Sequence, residues 1–236
     1  MNASKSCIKP PFFEIGPKSY LYGNDVLKLA KAADKAAARY GVDVIFTTPY
    51  ANIEQVARET EHIHVFAPHM DALRTGRGLA DILPESLKAA GAQGVMLNHC
   101  EKPLAFTVLQ ETIRRADEVG LITIVCADSI AEARAVALLK PDIVVAEPSE
   151  LIGTGQASDL NYVGASIRAV KEVDPDILVL QGAGISSGED VYRVIRAGAE
   201  ATGSSSGIAC AADREAMADE MIGAVRRAWD ERLSQR

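Results

Sequence analysis

Short runs of apolar residues alternate along the whole chain with longer stretches in which apolar positions recur every three or four residues. The short runs predict strands over 12–16, 43–46, 63–67, 94–97, 122–126, 143–146, 177–180 and 201–204, since an uninterrupted apolar run bounded by turn formers suits a strand buried on both faces. The longer stretches predict amphipathic helices over 25–40, 103–119, 130–139, 159–173, 188–197 and 213–233, with another opening at Pro84. Several of these start at Asp, Ser or Pro, which suit a helix N-terminus. Gly41, Gly91, Gly120 and Gly198 each follow a helix where a left-handed residue would close it.

Eight strand-helix units in 236 residues match the α/β class and, within it, a (β/α)8 TIM barrel, whose usual size is ~250 residues. A doubly wound open sheet is the competing arrangement. No Pro/Ser-rich linker, charge block or sequence repeat divides residues 1–236, so a single domain is expected. The connection over 68–81 is longer than the others and carries His69, Asp71, Arg74 and Arg77. It reads either as a solvated loop tied down by His69 or as a bridge to another subunit.

Composition narrows the setting. With 48% hydrophobic but only 5% aromatic residues, the core must be built mainly from Ala, Val, Ile and Leu. A net charge of -7 argues against nucleic acid or an anionic membrane as partner, and an anionic substrate would need local positive charge. The four cysteines, Cys7, Cys100, Cys126 and Cys210, form no CxxC pair, so neither a metal site nor a disulfide framework is expected and a reducing cytoplasm is. No stretch reaches the roughly 18 apolar residues of a membrane helix. Residues 1–11 lack the apolar core of a signal peptide, which again points to the cytoplasm.

In a barrel of this kind the reacting groups sit at the C-terminal ends of the strands. The first strand ends in Glu14-Ile15-Gly16-Pro17-Lys18; if it stays extended, Glu14, Gly16 and Lys18 share a side and Lys18 faces the barrel mouth. The fourth ends in Asn98-His99-Cys100-Glu101, where a histidine before a helix N-terminus should stay neutral and donate a hydrogen bond. The sixth delivers Glu147 and, behind it, the hinge glycines Gly153 and Gly155 of a lid. The seventh and eighth end in Gly182-Ala183-Gly184-Ile185-Ser186-Ser187-Gly188 and Ser204-Ser205-Ser206-Gly207, small-residue turns of the kind that cradle phosphate. Singly, each of these has a structural explanation; together, at strand ends of one barrel, they predict a site for a phosphorylated substrate.

The runs Asn98-His99-Cys100-Glu101, Glu147-Pro148-Ser149-Glu150-Leu151-Ile152-Gly153-Thr154-Gly155 and Gly182-Ala183-Gly184-Ile185-Ser186-Ser187-Gly188 resemble the triosephosphate isomerase family, in its short archaeal-type form, over nearly the whole chain. The resemblance implies Glu147 as base, His99 as electrophile and Lys18 as electrostatic anchor, with Ile152, Gly153, Gly184, Ser205 and Ser206 holding phosphate. It implies a proton shift between an aldose and a ketose phosphate, with no metal or organic cofactor, and a homo-oligomer, dimer or tetramer. The 68–81 loop and the last helix, with Trp229, could supply its contacts.

Two features depart from the family's pattern. Gly16 occupies the substrate-binding position where the family has an Asn two residues before the catalytic Lys, and Ala201-Thr202-Gly203-Ser204-Ser205-Ser206 replaces a bulkier apolar strand. Both changes are expected to open space beside the reacting end. They leave two alternatives to the three-carbon isomerase: an isomerase for a four-carbon sugar phosphate such as an erythrulose phosphate, and a phosphosugar-binding protein without turnover.

Overall fold

The computed structural model describes residues 8–151, 154 and 159–235. Eight strands form a closed parallel barrel: β1 (Phe12–Ile15), β2 (Asp43–Thr47), β3 (Ile63–Ala67), β4 (Gly94–Leu97), β5 (Ile122–Ala127), β6 (Ile143–Ala146), β7 (Leu178–Gln181) and β8 (Ala201–Ser204). Each pairs with its neighbours in sequence, and β8 returns to β1 with Phe12 opposite Ala201 and Ile15 opposite Ser204. This is the closed barrel expected from the strand count, and the open doubly wound sheet is excluded.

The period of two along each strand separates two cores. Phe12, Ile45, Phe66, Ile122, Ile124, Ile143, Val145, Leu180 and Ala201 fill the barrel interior. Phe13, Ile15, Val44, Phe46, Val65, Val95, Val125, Val144 and Val179 face outward against the helices. The interior is crowded enough that Gly94 must be glycine: a Cβ there would lie 2.3 Å from the Phe66 ring and 2.7 Å from the Ile122 carbonyl. Polar outward positions are satisfied locally, as where Thr123 bonds Asp142 and Thr202 donates to the Gln181 carbonyl.

The helices are α1 (Asn24–Tyr40), α2 (Ile53–Glu59), α3 (Pro84–Ala89), α4 (Phe106–Val119), α5 (Ile130–Ala137), α6 (Leu160–Lys171), α7 (Gly188–Arg196), α8 (Ser206–Ala209) and α9 (Arg214–Ser234). Ser129, Asp159, Ser187 and Asp213 cap α5, α6, α7 and α9 through their side chains. Gly41 and Gly120 close α1 and α4 in the left-handed conformation. Two helices were not anticipated. α2 and α8 span 7 and 4 residues, too short to impose a visible period, and α2 holds its place by burying Ile53 and Val56. Helix α4 also starts later than Pro103, because Leu104 donates to the Asn98 side chain and Ala105 remains extended. No helix among the described residues is long and apolar enough to cross a membrane.

The connection after β3 is tied down more firmly by Asp71 and Arg115 than by His69. Asp71 accepts from the Ile82 amide at 2.7 Å and its own amide donates to the Ile82 carbonyl, pinching the ends of the loop together. His69 is buried, but reaches Asp71 only at 3.3 Å. Arg115, a charged side chain buried to 1% exposure on α4, donates to the Leu73 carbonyl, Glu85 and Glu118. A guanidinium is suited to this task because its five donors are fixed in one plane and can serve three partners at once. Replacing Arg115 by Ala should lower the free energy of unfolding by about 2 kcal/mol, less than for a fully buried pair because both carboxylates keep contact with water. Urea denaturation checks this, and a change within experimental error would show that the loop is held by Asp71 alone.

Candidate active site

The barrel mouth opens into a cavity of about 1000 Å³ whose lining includes Gly16, Lys18, His99, Glu147, Gly184, Ser205 and Ser206, delivered by the turns that follow β1, β4, β6, β7 and β8. Ile152 and Gly153, the remaining predicted phosphate contacts, lie outside the described residues, as does Gly155, expected with Gly153 to form a hinge.

Glu147 follows β6 directly. Its amide still donates to the Ala127 carbonyl, so the backbone holds to β5 for one residue past the strand. The next turn is anchored where the Ser149 amide donates to Asp128 at 2.5 Å. One carboxylate oxygen of Glu147, Oε1, accepts from the Ala183 amide at 2.9 Å, and Ala183 adopts φ 67° to present that N–H. An alanine held in the left-handed region costs conformational energy, which the turn sustains at this position. Burial pushes the Glu147 carboxyl upward, against the lowering influence of Lys18 and the Ala183 amide, while Glu101 and Asp128 add to the rise.

His99 sits in a tight turn closed by the Lys102 amide on the His99 carbonyl. Its Nδ1 accepts from the Glu101 amide at 3.1 Å, which requires that nitrogen to be unprotonated and leaves the proton on Nε2. Burial, then the Lys18 charge, lower the histidine pKa, with Glu101 opposing. The neutral histidine is as expected, but for a different local reason. The amide in front of the ring comes from its own turn, since α4 begins seven residues later at Phe106. Nε2 lies 3.9 Å from Glu147 Oε2, too far for a hydrogen bond and enough to admit a substrate atom bridging the two.

Lys18 reaches the mouth by another route than the one expected. β1 ends at Ile15, so the extended period stops there, and Lys18 takes φ 46° in a turn closed by the Tyr20 amide on the Pro17 carbonyl. Its Nζ bonds Glu101 at 3.0 Å. Although burial works to lower its pKa, Glu101 and Glu147 hold it above the ordinary lysine value, so the ammonium is permanent.

Ser205 and Ser206 follow β8. The Ser205 hydroxyl is buried and has no hydrogen-bond partner among the described residues, an unusual state for a polar group, and the residue itself lines the cavity. Gly184, at φ 70°, lines the same cavity.

Three residues escaped the sequence reading as parts of the site. Asn98, at φ 57°, bonds the Cys126 carbonyl, Glu132 and the Leu104 amide, and so fixes the turn that carries His99. Asp128 fixes the segment after Glu147. Glu14 lies on the cavity floor, 8% exposed, with Thr47 donating to its Oε1 at 2.5 Å. The expected free space beside Gly16 and Gly203 is occupied by this carboxyl, since a Cβ at either glycine would stand 3.0 Å from one of its oxygens. The visible signal was an acidic residue in the otherwise apolar β1 sequence Phe12-Phe13-Glu14-Ile15.

A family model described as triosephosphate isomerase matches residues 17–209. The triosephosphate isomerase of Sulfurisphaera tokodaii is 37% identical over 219 residues, covering 91% of this chain and 95% of that protein. That of Sulfolobus acidocaldarius is 34% identical over 229 residues, covering 95% and 99%. That of Methanothermus fervidus is 36% identical over 203 residues, covering 85% and 91%.

Burial raises the Glu14 pKa from 4.5 to about 7, against the bond from Thr47, and this has a thermodynamic consequence. Between these two values the folded protein keeps a proton that the unfolded chain has released, so stability must fall as pH rises through the window and level off above it. The loss amounts to roughly 3 kcal/mol. Stability curves at pH 5 and pH 8 should therefore differ less in Glu14→Gln than in wild type. An equal pH response in both proteins would mean that Glu14 titrates normally.

Proposed function

Because the chain belongs to the triosephosphate isomerase family, we propose that it interconverts glyceraldehyde 3-phosphate and dihydroxyacetone phosphate through an enediolate. The observation that carries this reading is the facing of Glu147 and His99 across a 3.9 Å gap, with the ring neutral and Nε2 carrying the proton. Glu147 removes the proton from the carbon next to the carbonyl, and His99 Nε2–H donates to the carbonyl oxygen as negative charge grows there. His99 gives its Nε2 proton to the former carbonyl oxygen and recovers one from the neighbouring hydroxyl, and the same carboxyl returns its proton to the neighbouring carbon, leaving the sugar phosphate isomerised and the enzyme unchanged. The raised pKa of Glu147 suits this exchange, because a stronger base takes the carbon-bound proton more readily.

Lys18 supplies fixed positive charge beside the developing enediolate and the anionic substrate. The phosphate is held by Gly184, Ser205 and Ser206, a role supported by the unpartnered Ser205 hydroxyl, and by Ile152 and Gly153. Keeping water from the enediolate would guard it against loss of phosphate.

The same reading includes a homo-oligomer in the cytoplasm, without nucleic acid or membrane as partner. Support for an interface comes from Leu79, fully exposed in a loop that Asp71 and Arg115 otherwise hold in place. Free Cys100, Cys126 and Cys210 fit a reducing compartment. Light scattering on the purified protein should give a mass that is a multiple of the chain's, and Leu79→Glu should reduce it; a wild-type monomer at micromolar concentration would refute the interface.

The chemical assignment is tested by a coupled assay of triose phosphate interconversion. Glu147→Gln should lower kcat by about 10³-fold or more and His99→Ala by about 10²-fold. Wild-type kcat/KM should decline on acidification, from a pH above the ordinary carboxylate range, as Glu147 takes up a proton. No turnover by wild type, or full turnover by Glu147→Gln, would overturn the assignment.

A further inference from the structure

We propose that Glu14 is a specificity-determining residue of this pocket, whose free carboxyl oxygen accepts a hydrogen bond from a hydroxyl of the bound sugar phosphate. The inference rests on the sugar-phosphate reading above and adds a contact that reading does not contain.

Glu14 belongs by register to the inward face of β1, the face on which Phe12 enters the barrel interior, while Phe13 and Ile15 pack outward. Its neighbours on the cavity floor include Met96, Cys126, Val145 and Leu180. A carboxyl placed among such groups is costly, and a purely structural carboxyl would be expected to have both oxygens paired with protein. Only Oε1 is so paired, with the Thr47 hydroxyl. Oε2 has no hydrogen bond among the described residues, and the residue lines the cavity.

The surrounding backbone makes room for this group on two sides. A Cβ at Gly16 would stand 3.0 Å from Oε1, and one at Gly203 would stand 3.0 Å from Oε2 and 2.8 Å from the Glu14 carbonyl. Both spacings are tighter than ordinary contacts, so side chains at these positions would push the carboxyl from its slot. The slot lies on the β1 and β8 side of the mouth, whereas His99 and Glu147 come from β4 and β6.

Charge decides which part of a ligand can meet it. Glu14 feels Glu147 and Lys18 across the pocket, and the nearby Cys126 thiol is held protonated by burial and by the two glutamates. A phosphate dianion would be repelled by the two carboxyls. A hydroxyl donates to Oε2 of the carboxylate and can accept from Oε2–H once the carboxyl is protonated with Oε1 held by Thr47, so it suits Glu14 on either side of its titration near pH 7. The anionic end of the substrate is thereby directed to Ser205 and Gly184, and a hydroxyl-bearing carbon toward Glu14.

Isothermal titration calorimetry with the full chain tests this, using inorganic phosphate, propyl phosphate and glycerol 3-phosphate as probes. Wild type should prefer glycerol 3-phosphate to propyl phosphate. Glu14→Leu should bind glycerol 3-phosphate at least about tenfold more weakly, with the other two probes unchanged. Glu14→Gln retains a group able to hydrogen-bond the ligand hydroxyl and should recover most of the loss, and circular dichroism confirms that both variants are folded. Less than about a threefold change in Glu14→Leu, or an equal loss for all three probes, overturns the proposal, as does a wild type that binds none of them. A wild type that binds with the expected discrimination but turns over no triose phosphate would refute the isomerase assignment alone.

Discussion

Closure of the parallel ladder between β8 and β1 is the constraint from which the rest of the molecule follows. Once Phe12 is set against Ala201 and Phe12 also against Asp43, every strand has two hydrogen-bonded neighbours and all C-terminal ends are brought to one rim. Lys18, His99 and Glu147 belong to separate units of the chain, and only this rim makes them neighbours. The closed ladder also dictates the interior: side chains alternate inward and outward, so bulk at Phe12 and Phe66 must be met by small residues at Ala201 and Gly94.

The mouth sets ionisable groups against one another at some cost to the fold. Lys18 keeps its charge through Glu101, His99 loses its proton to burial and to Lys18, and Glu147 is pushed upward by burial yet steadied by the Ala183 amide. These are mutually dependent: the same lysine that supports the glutamate's negative charge keeps the imidazole neutral. Backbone strain accompanies the arrangement, with Lys18, Asn98 and Ala183 all in the left-handed region near the cavity. A buried Glu14 adds an electrostatic cost of the same kind, consistent with a site that gives up stability to hold charges where water would otherwise hold them.

The polar residues around the mouth divide into those that face the cavity and those that hold them there. Asn98 and Asp128 make their hydrogen bonds to backbone and to neighbouring side chains, and each controls the path of a turn that carries a cavity-facing group. A change at either would be felt through geometry, because it would loosen the turn that carries a cavity-facing side chain.

Much of the fold was legible in the chain itself. Eight apolar runs fell on the eight strands to within a residue or two, because strands buried on both faces admit little else, and Gly41 and Gly120 marked helix ends because few other residues tolerate that backbone. The identities of Lys18, His99 and Glu147 were likewise visible as reactive residue types at strand ends. Their mutual distance was not, nor was the turn that places Lys18, nor the amide that fixes the proton on His99. Glu14 marks the boundary most clearly: its acidity in an apolar strand was written in the sequence, but its meaning depended on Gly203 from β8 and Thr47 from β2, which only barrel closure brings beside it. Local periodicity and backbone preference are carried by consecutive residues, whereas a pocket is made by residues distant along the chain, and so the sequence determined the elements and the tertiary structure decided what they face.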